Sequence, residues 1–504
     1  MHFSEISRAD IGKPIDVVAR VEQVHQTAGP TIFVLSDGIS KFTAKAFVRP
    51  GVRAHSNMNV GDIVSVSMRI QEYNNNLEGS IDAIQKADPD LFAQALEQNK
   101  KRQLHVESIP FLVQSEHLEK LRNSFEQAAM LIKKAIFERR PIMLRHNADC
   151  DGYSGGVALE RAILPLVRDQ RDSYQDWKFF RRLPSRAPFY SLSDVLVDLV
   201  GITNDMLRSN TQPPLIIVVD NGSGKEDAVA LKSLKVYGCP IIIVDHHFIS
   251  TDIISPIVDV HINPYLVGYN SQISAGMLAT ELARIVNNTA SPLTTLPALS
   301  GTGDKVESGE MQQYLKIAES DGYTADELKK IALCIDFAAY YLRSMEGRVL
   351  VDDLLGKDRV KQKQLVELWY AEARRRMDEL LVVVKQYIQI EETEKSVIAS
   401  IPLNDIMFAG EFPSFGKITG MTSDWLKAQH QKHVFVLGVA KDMVVIRASR
   451  HAQFNLNDIV TVLRQKPYLG VSGGGHERAG TLHFAPAAQD EVLAVVHESI
   501  LRVQ

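Results

Sequence analysis

The sequence predicts an α/β protein with a parallel-sheet core, a helical connector and a C-terminal α/β lobe, preceded by a small all-β barrel. Two short runs, at 215–219 and 240–244, are almost wholly apolar and β-branched, which is typical of parallel strands buried on both faces. Strand and helix periods alternate around these runs, as they do in parallel sheets with helices on their faces. Over the first 90 residues, short stretches of period two are separated by turn residues, which favours a small closed barrel.

Five stretches of the first segment alternate apolar and polar residues, as strands with one buried face do. They lie at 15–21, 31–35, 41–48, 63–70 and 77–81. Their order, with Val60-Gly61-Asp62 before the fourth, resembles the OB-fold of the tRNA-anticodon-binding type. The resemblance implies a groove for single-stranded nucleic acid, with bases stacked on aromatic rings and phosphates near cations. The candidate contacts are Phe33, Phe47, Tyr73, Arg20, Lys41 and Lys45. The alternative is that the phenylalanines belong to the barrel core and the cations are simply solvated.

Two segments have a helical period. At 89–140 and at 311–395, apolar residues recur at steps of three and four, which predicts helices. The second segment ends in a long predicted helix that carries Arg374–Arg376. Three successive positions of a helix cannot share one face, so the role of this triplet stays open.

Acidic and imidazole side chains follow the predicted core strands at the point where each strand ends. We predict these strands at 141–146, 215–219, 240–244 and 296–299. The polar residues that follow them are Asp149, Asp151, Asp220, Asp245, His246, His247 and Asp304. Because ligands of such sheets bind outside the carboxyl ends of the strands, we expect these side chains at one rim.

This set of residues predicts a metal centre. Carboxylates so close together raise one another's pKa unless cations neutralise them. Oxygen ligands with an imidazole suit Mn²⁺ or Mg²⁺, with Zn²⁺ or iron as alternatives. Asp220 is placed to bridge two ions about 3.5–4 Å apart, the spacing used for displacement at phosphorus. For any single acid the alternative is a helix N-cap after a strand, but the whole set favours the metal centre.

Two basic or glycine-rich stretches are candidates for phosphate contacts. Arg181, Arg182 and Arg186 follow a strand predicted at 177–180, where substrate contacts and structural ion pairs are equally favoured. Near the C-terminus, three consecutive glycines precede a histidine. Consecutive glycines let backbone N–H groups converge on an anion, although a glycine run by itself usually marks a turn. The candidates in this second stretch, with the arginine of a preceding predicted strand, are Arg447, Gly473, Gly474, Gly475 and His476.

The ordered motifs resemble those of the DHH phosphoesterase superfamily. They are His146-Asn-Ala-Asp149-Cys-Asp151-Gly152, Asp220, Asp245-His246-His247 and Asp304. The stretch 473–476 resembles the glycine-rich signature of the DHH-associated domain, so the resemblance covers about 138–504. Within the superfamily the chain is most similar to RecJ-like single-strand nucleases, particularly archaeal forms. The resemblance implies two divalent ions, with Mn²⁺ favoured and Mg²⁺ as the alternative, and phosphodiester hydrolysis by metal-activated water.

Roles follow from the resemblance residue by residue. The expected catalytic residues are Asp149, Asp151, Asp220, His246, His247 and Asp304, and all of these except His247 are expected to ligate metal. His247 is expected to contact phosphate or to orient a ligand. His146 is expected to be a ligand or a phosphate donor. Its three-residue offset from Asp149 departs from some DHH enzymes, where the offset is two or four. The expected substrate contacts are His146, His247, Arg447, Gly473, Gly474, Gly475 and His476.

The expected domains follow from the changes of pattern and the resemblance. They are an OB-fold nucleic-acid-binding domain at 1–90, a helical linker at 91–137, a DHH catalytic domain at 138–310, a helical insertion and connector at 311–395, and a DHH-associated substrate-binding domain at 396–504. A chain of 504 residues is long enough for several such cores.

Composition limits the class of protein. The formal net charge of −5 argues against a protein that coats nucleic acid uniformly, but a local basic groove is compatible with it. Cys150, Cys239 and Cys334 are widely spaced, which argues against a disulfide framework or a structural zinc site and favours a reducing compartment. No apolar run approaches the length of a membrane span, and the N-terminus does not resemble a signal peptide, so we expect a cytoplasmic protein.

Three functions compete at this point. The leading one is a RecJ-like exonuclease that degrades single-stranded DNA or RNA in replication, repair or RNA turnover. The second is a phosphodiesterase for oligonucleotides or dinucleotides, which leaves the barrel without a role. The third is a replisome scaffold of the Cdc45 type, which need not retain every metal carboxylate. Single-stranded nucleic acid is the expected partner, and the resemblance adds replisome or repair proteins. Cleavage polarity, the preference for DNA or RNA, the metal used in the cell and the oligomeric state stay open.

Overall fold

The computed structural model describes residues 3, 6–38, 40–74, 76–169, 176–185, 187–249, 251–290, 293–342, 345, 347–408, 410–449 and 452–502. Among these residues, no helix combines the length and the apolar character that crossing a membrane requires. Two compact units are distinguished. The first contains the residues up to 107 with 129–140 and 163–179, and the second contains the remainder.

The N-terminal segment is a closed five-stranded barrel, as the period-two stretches predicted. Its strands are β1 (Pro14–Gln26), β2 (Thr31–Ser36), β3 (Lys41–Ala46), β4 (Ile63–Tyr73) and β5 (Asn76–Lys86), in the order β1-β2-β3-β5-β4. The inward-facing side chains form a core that includes Val21, Phe33, Leu35 and Met68. The barrel closes through a parallel pairing of β3 with β5, in which Ala44 lies opposite Gly79. The helix α1 (Pro89–Leu104) follows.

The core is a five-stranded parallel sheet. The helix α2 (Glu116–Phe137) leads into β6 (Ile142–His146), α3 (Cys150–Asp169), α4 (Asp176–Phe179), β7 (Phe180–Pro184), α5 (Leu192–Ser209), β8 (Leu215–Val219), α6 (Ala228–Val236), β9 (Ile241–Val244), α7 (Thr251–Ile254), β10 (Val260–Ile262), α8 (Ala275–Val286) and α9 (Leu296–Gly303). The strand order is β10-β9-β8-β6-β7, and every residue of β6, β8, β9 and β10 is buried. Burial on both faces explains why these strands are continuously apolar.

Two predicted strands of the core were wrong. The stretch 296–299 opens the helix α9, with Pro297 in the first turn, where its missing N–H is not needed. Residues 296–301 are all buried, and a short apolar run fits a buried helix as well as a buried strand. The strand predicted at 177–180 begins only at Phe180, so Arg181 and Arg182 belong to β7 itself.

A helical segment and a mixed-sheet lobe complete the chain. The helices are α10 (Gly309–Ser320), α11 (Ala325–Leu342), α12 (Arg348–Leu354) and the long α13 (Arg359–Tyr387). The lobe contains β11 (Gln389–Glu392), β12 (Ser396–Pro402), α14 (Leu403–Ile406), α15 (Phe415–Gln429), β13 (His433–Ala440), β14 (Met443–Ala448), α16 (Leu456–Arg464), β15 (Ser472–His476), β16 (Ala479–His483) and α17 (Gln489–Arg502). Its sheet has the order β11-β12-β13-β14-β16-β15. The predicted fold class is confirmed.

Candidate metal centre

Three parallel strands deliver most of the predicted residues to the same edge of the core sheet. Asp149 and Asp151 follow β6, Asp220 follows β8, and the stretch 245–247 follows β9. The sheet ladder continues past the strand ends, because the Asp220 N–H donates to the Val244 carbonyl at 2.9 Å. The neighbouring strand ends therefore stay in register where the carboxylates begin.

His246 is at the centre of the cluster. Its Nε2 lies 3.4 Å from Asp151 Oδ2, 3.4 Å from Asp220 Oδ1 and 3.1 Å from Asp304 Oδ2, the last carboxylate arriving from the end of α9. Its Nδ1 lies 3.0 Å from the Ser271 carbonyl oxygen. A carbonyl accepts only from N–H, so the proton of the neutral ring is on Nδ1 and the Nε2 lone pair faces three carboxylates. Such an arrangement fits a shared cation.

Asp151 is fixed by donors from two helices. The N–H groups of Ala275 and Gly276, at the start of α8, donate to its two oxygens at 2.9 and 2.7 Å. The Ser300 hydroxyl of α9 donates to Oδ1 at 2.5 Å. The helix N-terminus also favours the negative charge. The small residues that open α8 therefore face this rim, and the contribution of Ser300 from α9 had no recognisable signal in the sequence.

Asp220 is the opposite case. Neither of its buried carboxylate oxygens has a hydrogen-bond partner of good geometry among the described residues. Its backbone has φ of 58°, a left-handed conformation that is costly for a residue with a Cβ. Backbone strain together with an unsatisfied buried carboxylate is costly to the fold, and a bound cation would offset that cost.

Asp149 and His247 occupy the margins of the cluster. Asp149 accepts from the Asn147 side-chain amide at 2.7 Å and from the Gly152 N–H at 3.0 Å. The His247 Nδ1 lies 2.8 Å from an Asp245 oxygen, so Asp245 orients this ring. Asp245 itself is held by the N–H of Ser223 at 3.2 Å.

The pKa shifts show that the cluster is short of positive charge. Burial, followed by the charges of Asp304 and Asp151, raises the pKa of Asp149 to about 7. Burial, Asp149 and Asp151 raise the pKa of Asp220 well above its ordinary value. Burial alone would raise the pKa of Asp304, but the hydrogen bond and charge of His246 lower it to about 2. Burial by itself would lower the pKa of His246, but the hydrogen bonds and charges of the surrounding carboxylates raise it well above its ordinary value, so a positive charge is favoured at this position.

Potential ligand atoms converge in three groups among the described residues, each within 4.8 Å. The groups are Asp151 with His246 and Asp304, Asp220 with Asp245 and His247, and His246 with His247 and His476. Asp149 is outside these groups, although its charge reaches Asp151, Asp220 and Asp304. The donor set of carboxylates and imidazoles fits divalent Mn²⁺ or Mg²⁺.

The glycine-rich stretch forms the edge strand β15 and brings His476 to the centre. The His476 ring is stacked on His247 with centroids 4.8 Å apart, and its Nε2 is 4.0 Å from Asp304 Oδ2. Burial and then the neighbouring histidines lower the pKa of His476 to about 3. A Cβ on Gly473 or Gly475 would lie 2.3 or 2.5 Å from a carbonyl oxygen of β16, so this strand needs glycine at both positions.

His146 does not join the cluster. Its Nδ1 lies 2.6 Å from the carbonyl of Asn147, and its Nε2 lies 3.3 Å from the Arg182 guanidinium, which is itself paired with Glu160 at 2.5 Å. Burial and the Arg182 charge hold the pKa of His146 well below its ordinary value. With both nitrogens engaged, His146 orients Arg182, and this position does not fit the ligand or phosphate contact that we expected.

The arginines that follow the strand predicted at 177–180 form structural ion pairs where they are described. Arg182 is fully buried in its pair with Glu160, and Arg181 pairs with Asp205 at 2.8 Å. Arg186 lies outside the described residues.

Arg447 is also outside the three candidate metal groups. It lies against the first turn of α15, with a guanidinium nitrogen 3.5 Å from the Gly416 carbonyl. The Arg374–Arg376 triplet is occupied by ion pairs to Glu372, Asp378, Glu379 and Glu411.

Two further contacts near the rim were not foreseen. Lys417 Nζ lies 2.6 Å from Asp336, whose other oxygen accepts from the Cys150 N–H at 3.0 Å. The Gly473 N–H donates to the Glu226 carboxylate at 3.3 Å, and Arg464 pairs with the same carboxylate. A backbone N–H of the glycine run thus does donate to an anion, as consecutive glycines indicate, but that anion is the Glu226 side chain of the protein itself.

The barrel residues divide between core and surface. Phe33 is fully buried and belongs to the core, whereas Phe47 and Tyr73 are 61% and 58% exposed. Among the cations, Arg20 pairs with Glu22 at 2.8 Å and Lys41 lies 3.7 Å from the same carboxylate. Lys45 pairs with Glu78 at 2.5 Å and lies 4.2 Å from the Tyr73 ring centroid.

Comparisons with known proteins agree with the fold. The chain is 36% identical over 513 residues to an uncharacterized protein of Methanocaldococcus jannaschii, covering 95% of this chain and 67% of that protein. It is 38% identical to the DHH domain of a member of the s1p family of ribosomal proteins, with a TM-score of 0.78 over 82% of this chain and 99% of that one. An exonuclease RecJ bound to manganese is 18% identical with a TM-score of 0.51, covering 79% of this chain and 97% of that one, which is a likeness of fold. A scan of family models finds none that matches.

Proposed function

Since this chain belongs to the DHH phosphoesterase family and is related to RecJ nucleases, we propose that it is a metal-dependent phosphodiester hydrolase that acts as an exonuclease on single-stranded DNA or RNA. The observation that carries the proposal is the convergence of three carboxylates on the bare Nε2 of His246. The related RecJ of known structure is named an exonuclease and binds manganese, which supports both the metal and the reaction.

The proposed ligands are Asp149, Asp151, Asp220, His246 and Asp304. When bound, two divalent ions, Mn²⁺ in preference to Mg²⁺, lower the pKa of a water molecule and offset charge on the phosphate oxygens. Asp220 would hold the ions with both carboxylate oxygens, since neither oxygen has a hydrogen-bond partner of good geometry among the described residues. Asp151 is held in one orientation by its donors from α8 and α9, so it sets the position of the site.

The histidines outside the ligand set face the substrate. His247, oriented by Asp245, and His476, stacked on it from the glycine-rich strand, form an imidazole surface beside Asp304. Each is placed to donate a hydrogen bond to a phosphate oxygen while the transition-state charge develops. The N–H groups of Gly473, Gly474 and Gly475 are proposed to contact the same phosphate group from the edge strand.

The barrel supports a polynucleotide substrate over a dinucleotide. Phe47 and Tyr73 remain exposed for base stacking, with Lys45 beside Tyr73. From the relationship to RecJ we also propose that the protein binds replication or repair proteins. The proposed domains are the OB-fold domain at 1–90, the helical linker at 91–137, the catalytic domain at 138–310, the helical connector at 311–395 and the substrate-binding domain at 396–504.

The test is an end-labelling assay with Mn²⁺ and single strands of graded length. We expect progressive shortening of long strands by the wild type and loss of cleavage by more than about a thousandfold in Asp220→Ala, with strand binding retained. Asp205→Asn, which removes an exposed carboxylate paired with Arg181, is the matched control and should cleave normally. Turnover of dinucleotides alone would favour the phosphodiesterase, and metal-independent binding without cleavage would favour the scaffold.

A further inference from the structure

An exposed aromatic side chain follows directly after the two histidines of the candidate metal centre. Phe248 is 47% exposed, although the residues on either side of it are held in place. The His247 ring before it is oriented by Asp245, and the Ile249 side chain after it is buried. Single exposed apolar side chains are ordinary on a protein surface. The ring of Phe248 differs because fixed backbone displays it next to a histidine that is proposed to contact phosphate.

The side chain of Asn263 fixes the peptide that joins His247 to Phe248. Its Nδ2 donates to the His247 carbonyl at 3.0 Å. Its Oδ1 accepts from the Tyr265 N–H at 3.0 Å and so caps the 3₁₀ turn Pro264–Val267. Asn263 is fully buried, which shields these hydrogen bonds from water. One side chain therefore sets the position of Phe248 relative to both His247 and Tyr265.

Tyr265 packs against the Phe248 ring. The ring centroids are 5.5 Å apart and the planes meet at 78°, which is the favourable edge-to-face arrangement. Burial and the Glu477 charge raise the pKa of Tyr265, whereas hydrogen bonds with Ser271 and the charge of His246 lower it. The Ser271 carbonyl in turn lies 3.0 Å from His246 Nδ1. The aromatic pair is therefore tied to the candidate metal centre from both of its members.

Two chemically different surfaces adjoin at this point. The rings of His247 and His476, stacked with centroids 4.8 Å apart, carry nitrogens that suit phosphate oxygens. Phe248 carries no polar atom, and its planar apolar ring suits the face of a nucleobase. Its Cα is about 3.8 Å from that of His247, the spacing of consecutive residues. A nucleotide has the same two parts, a phosphate and a planar base, next to each other.

We infer that Phe248, backed by Tyr265, is a stacking platform for a nucleobase next to the scissile phosphate, so that the enzyme selects phosphodiesters that carry a base there. This inference rests on the proposed function and specifies its substrate. Stacking uses the face of the base and not its hydrogen-bonding edge, so the platform accepts any of the bases.

The experiment compares the wild type with Phe248→Ala and Phe248→Tyr under Mn²⁺ on end-labelled single strands. One strand carries all of its bases. In two others, the last two nucleotides at the 5′ end or at the 3′ end are tetrahydrofuran abasic analogues, so that either direction of cleavage is covered. We expect the wild type to cleave about fivefold or more slowly from the abasic end than from the same end with its bases. Phe248→Ala should cleave both at one reduced rate, and Phe248→Tyr should keep the preference because its ring also stacks.

Tyr237→Ala is the matched control. Tyr237 is also exposed, at 42%, but it ends α6 just before β9 begins, at the amino-terminal edge of the sheet. This variant should keep the preference of the wild type. The inference is overturned if the wild type shows no preference, or if Phe248→Ala keeps it in full. Loss of the preference in Phe248→Tyr as well would also overturn it, because that result indicates a structural effect.

If the wild type cleaves none of the strands, the proposed function fails and the platform is judged by binding. The strands then carry 2-aminopurine at the same terminal positions, because the emission of this base is quenched when it stacks. Stronger quenching by the wild type than by Phe248→Ala would support the platform, and equal emission with the two proteins would reject it.

Discussion

The ion pair of Lys417 with Asp336 should hold α15 of the C-terminal lobe against the strand end that carries the carboxylates. The two side chains are 32% and 20% exposed, with 2.6 Å between nitrogen and oxygen. Burial by itself would lower the pKa of Lys417, but the Asp336 carboxylate more than offsets this and raises it. Exposed pairs contribute about 0–1 kcal/mol, and breaking a fully buried pair costs about 3–5 kcal/mol. We therefore expect Lys417→Met, which keeps the aliphatic stem, to lower the free energy of local opening by about 1–3 kcal/mol.

Hydrogen exchange measured by mass spectrometry is the appropriate assay, because it reports local opening without requiring the whole chain to unfold in one step. Peptides from α15 should lose about 5- to 150-fold in protection, whereas peptides from α17 should not change. Lys432→Met is the control, because it removes a more exposed ion pair with Glu392. Protection from hydrogen exchange around that pair should fall less than about fivefold.

A double-mutant cycle isolates the pair itself. If the ion pair is the cause, Asp336→Asn combined with Lys417→Met should be no less protected than either single variant, which corresponds to a coupling energy of about 1–3 kcal/mol. Additive losses, with a coupling below about 0.5 kcal/mol, would refute the reasoning and assign the effect of Lys417 to packing of its stem.

Three further predictions follow from single contacts. In Gly276→Ala the new Cβ would lie 2.7 Å from Cβ and Oγ of Ser300 and 2.9 Å from Asp151 Oδ1, so it would displace the carboxylate and its hydroxyl donor together. Mn²⁺ affinity by calorimetry should fall about ten- to a hundredfold with an unchanged circular dichroism spectrum. An unchanged affinity would show that Asp151 is not a ligand. Burial lowers the pKa of His261 to about 4. When the pKa of a histidine is lower in the folded state than its ordinary value near 6.5, the free energy of unfolding decreases as the pH falls below 6.5. For His261 this decrease is about 2 kcal/mol at pH 5. Thermal melts at pH 7 and 5 should therefore show a smaller acid loss in His261→Gln than in the wild type, and equal losses would contradict the assignment. Glu226→Gln replaces the carboxylate that accepts the Gly473 N–H with a neutral amide, which is a weaker acceptor. The affinity for single strands, measured by fluorescence anisotropy, should therefore rise about threefold or more. An unchanged affinity would mean that this N–H does not bind phosphate.

The strand ends could be predicted because burial on both faces of the sheet determines both the apolar run of each strand and the place where that run stops. A strand buried on both faces has to be continuously apolar, so the first acid after it marks the carboxyl edge of the sheet. Asp220 after β8 and His246 after β9 were located in this way, and their side chains meet in the structure. The secondary structure before Asp304 was predicted wrongly. Residues 296–299 open α9 but are as apolar and as buried as a strand.

The contacts that position the cluster could not be predicted in the same way. Ser300 donates to Asp151, and Lys417 reaches Asp336, across long stretches of sequence that no local period connects. His146 shows the converse, because a motif position that resembles a ligand is engaged by Arg182 instead. Residue type and spacing specify which atoms approach the rim, whereas the partners that orient them depend on how helices from distant parts of the chain pack.

Asp151 and Asp220 show how the fold divides the requirements of the candidate metal centre between two carboxylates. Asp151 accepts two backbone N–H groups and a hydroxyl, so its orientation is set before any ion arrives. Asp220 has no such donors among the described residues, and its strained backbone accompanies an Oδ1 that lies 3.4 Å from His246 Nε2. Asp151, held by protein donors, would fix where an ion binds. Asp220, buried without such donors, carries a negative charge that a bound cation would neutralise. Replacing the Asp220 carboxylate should therefore cost little stability and most of the activity.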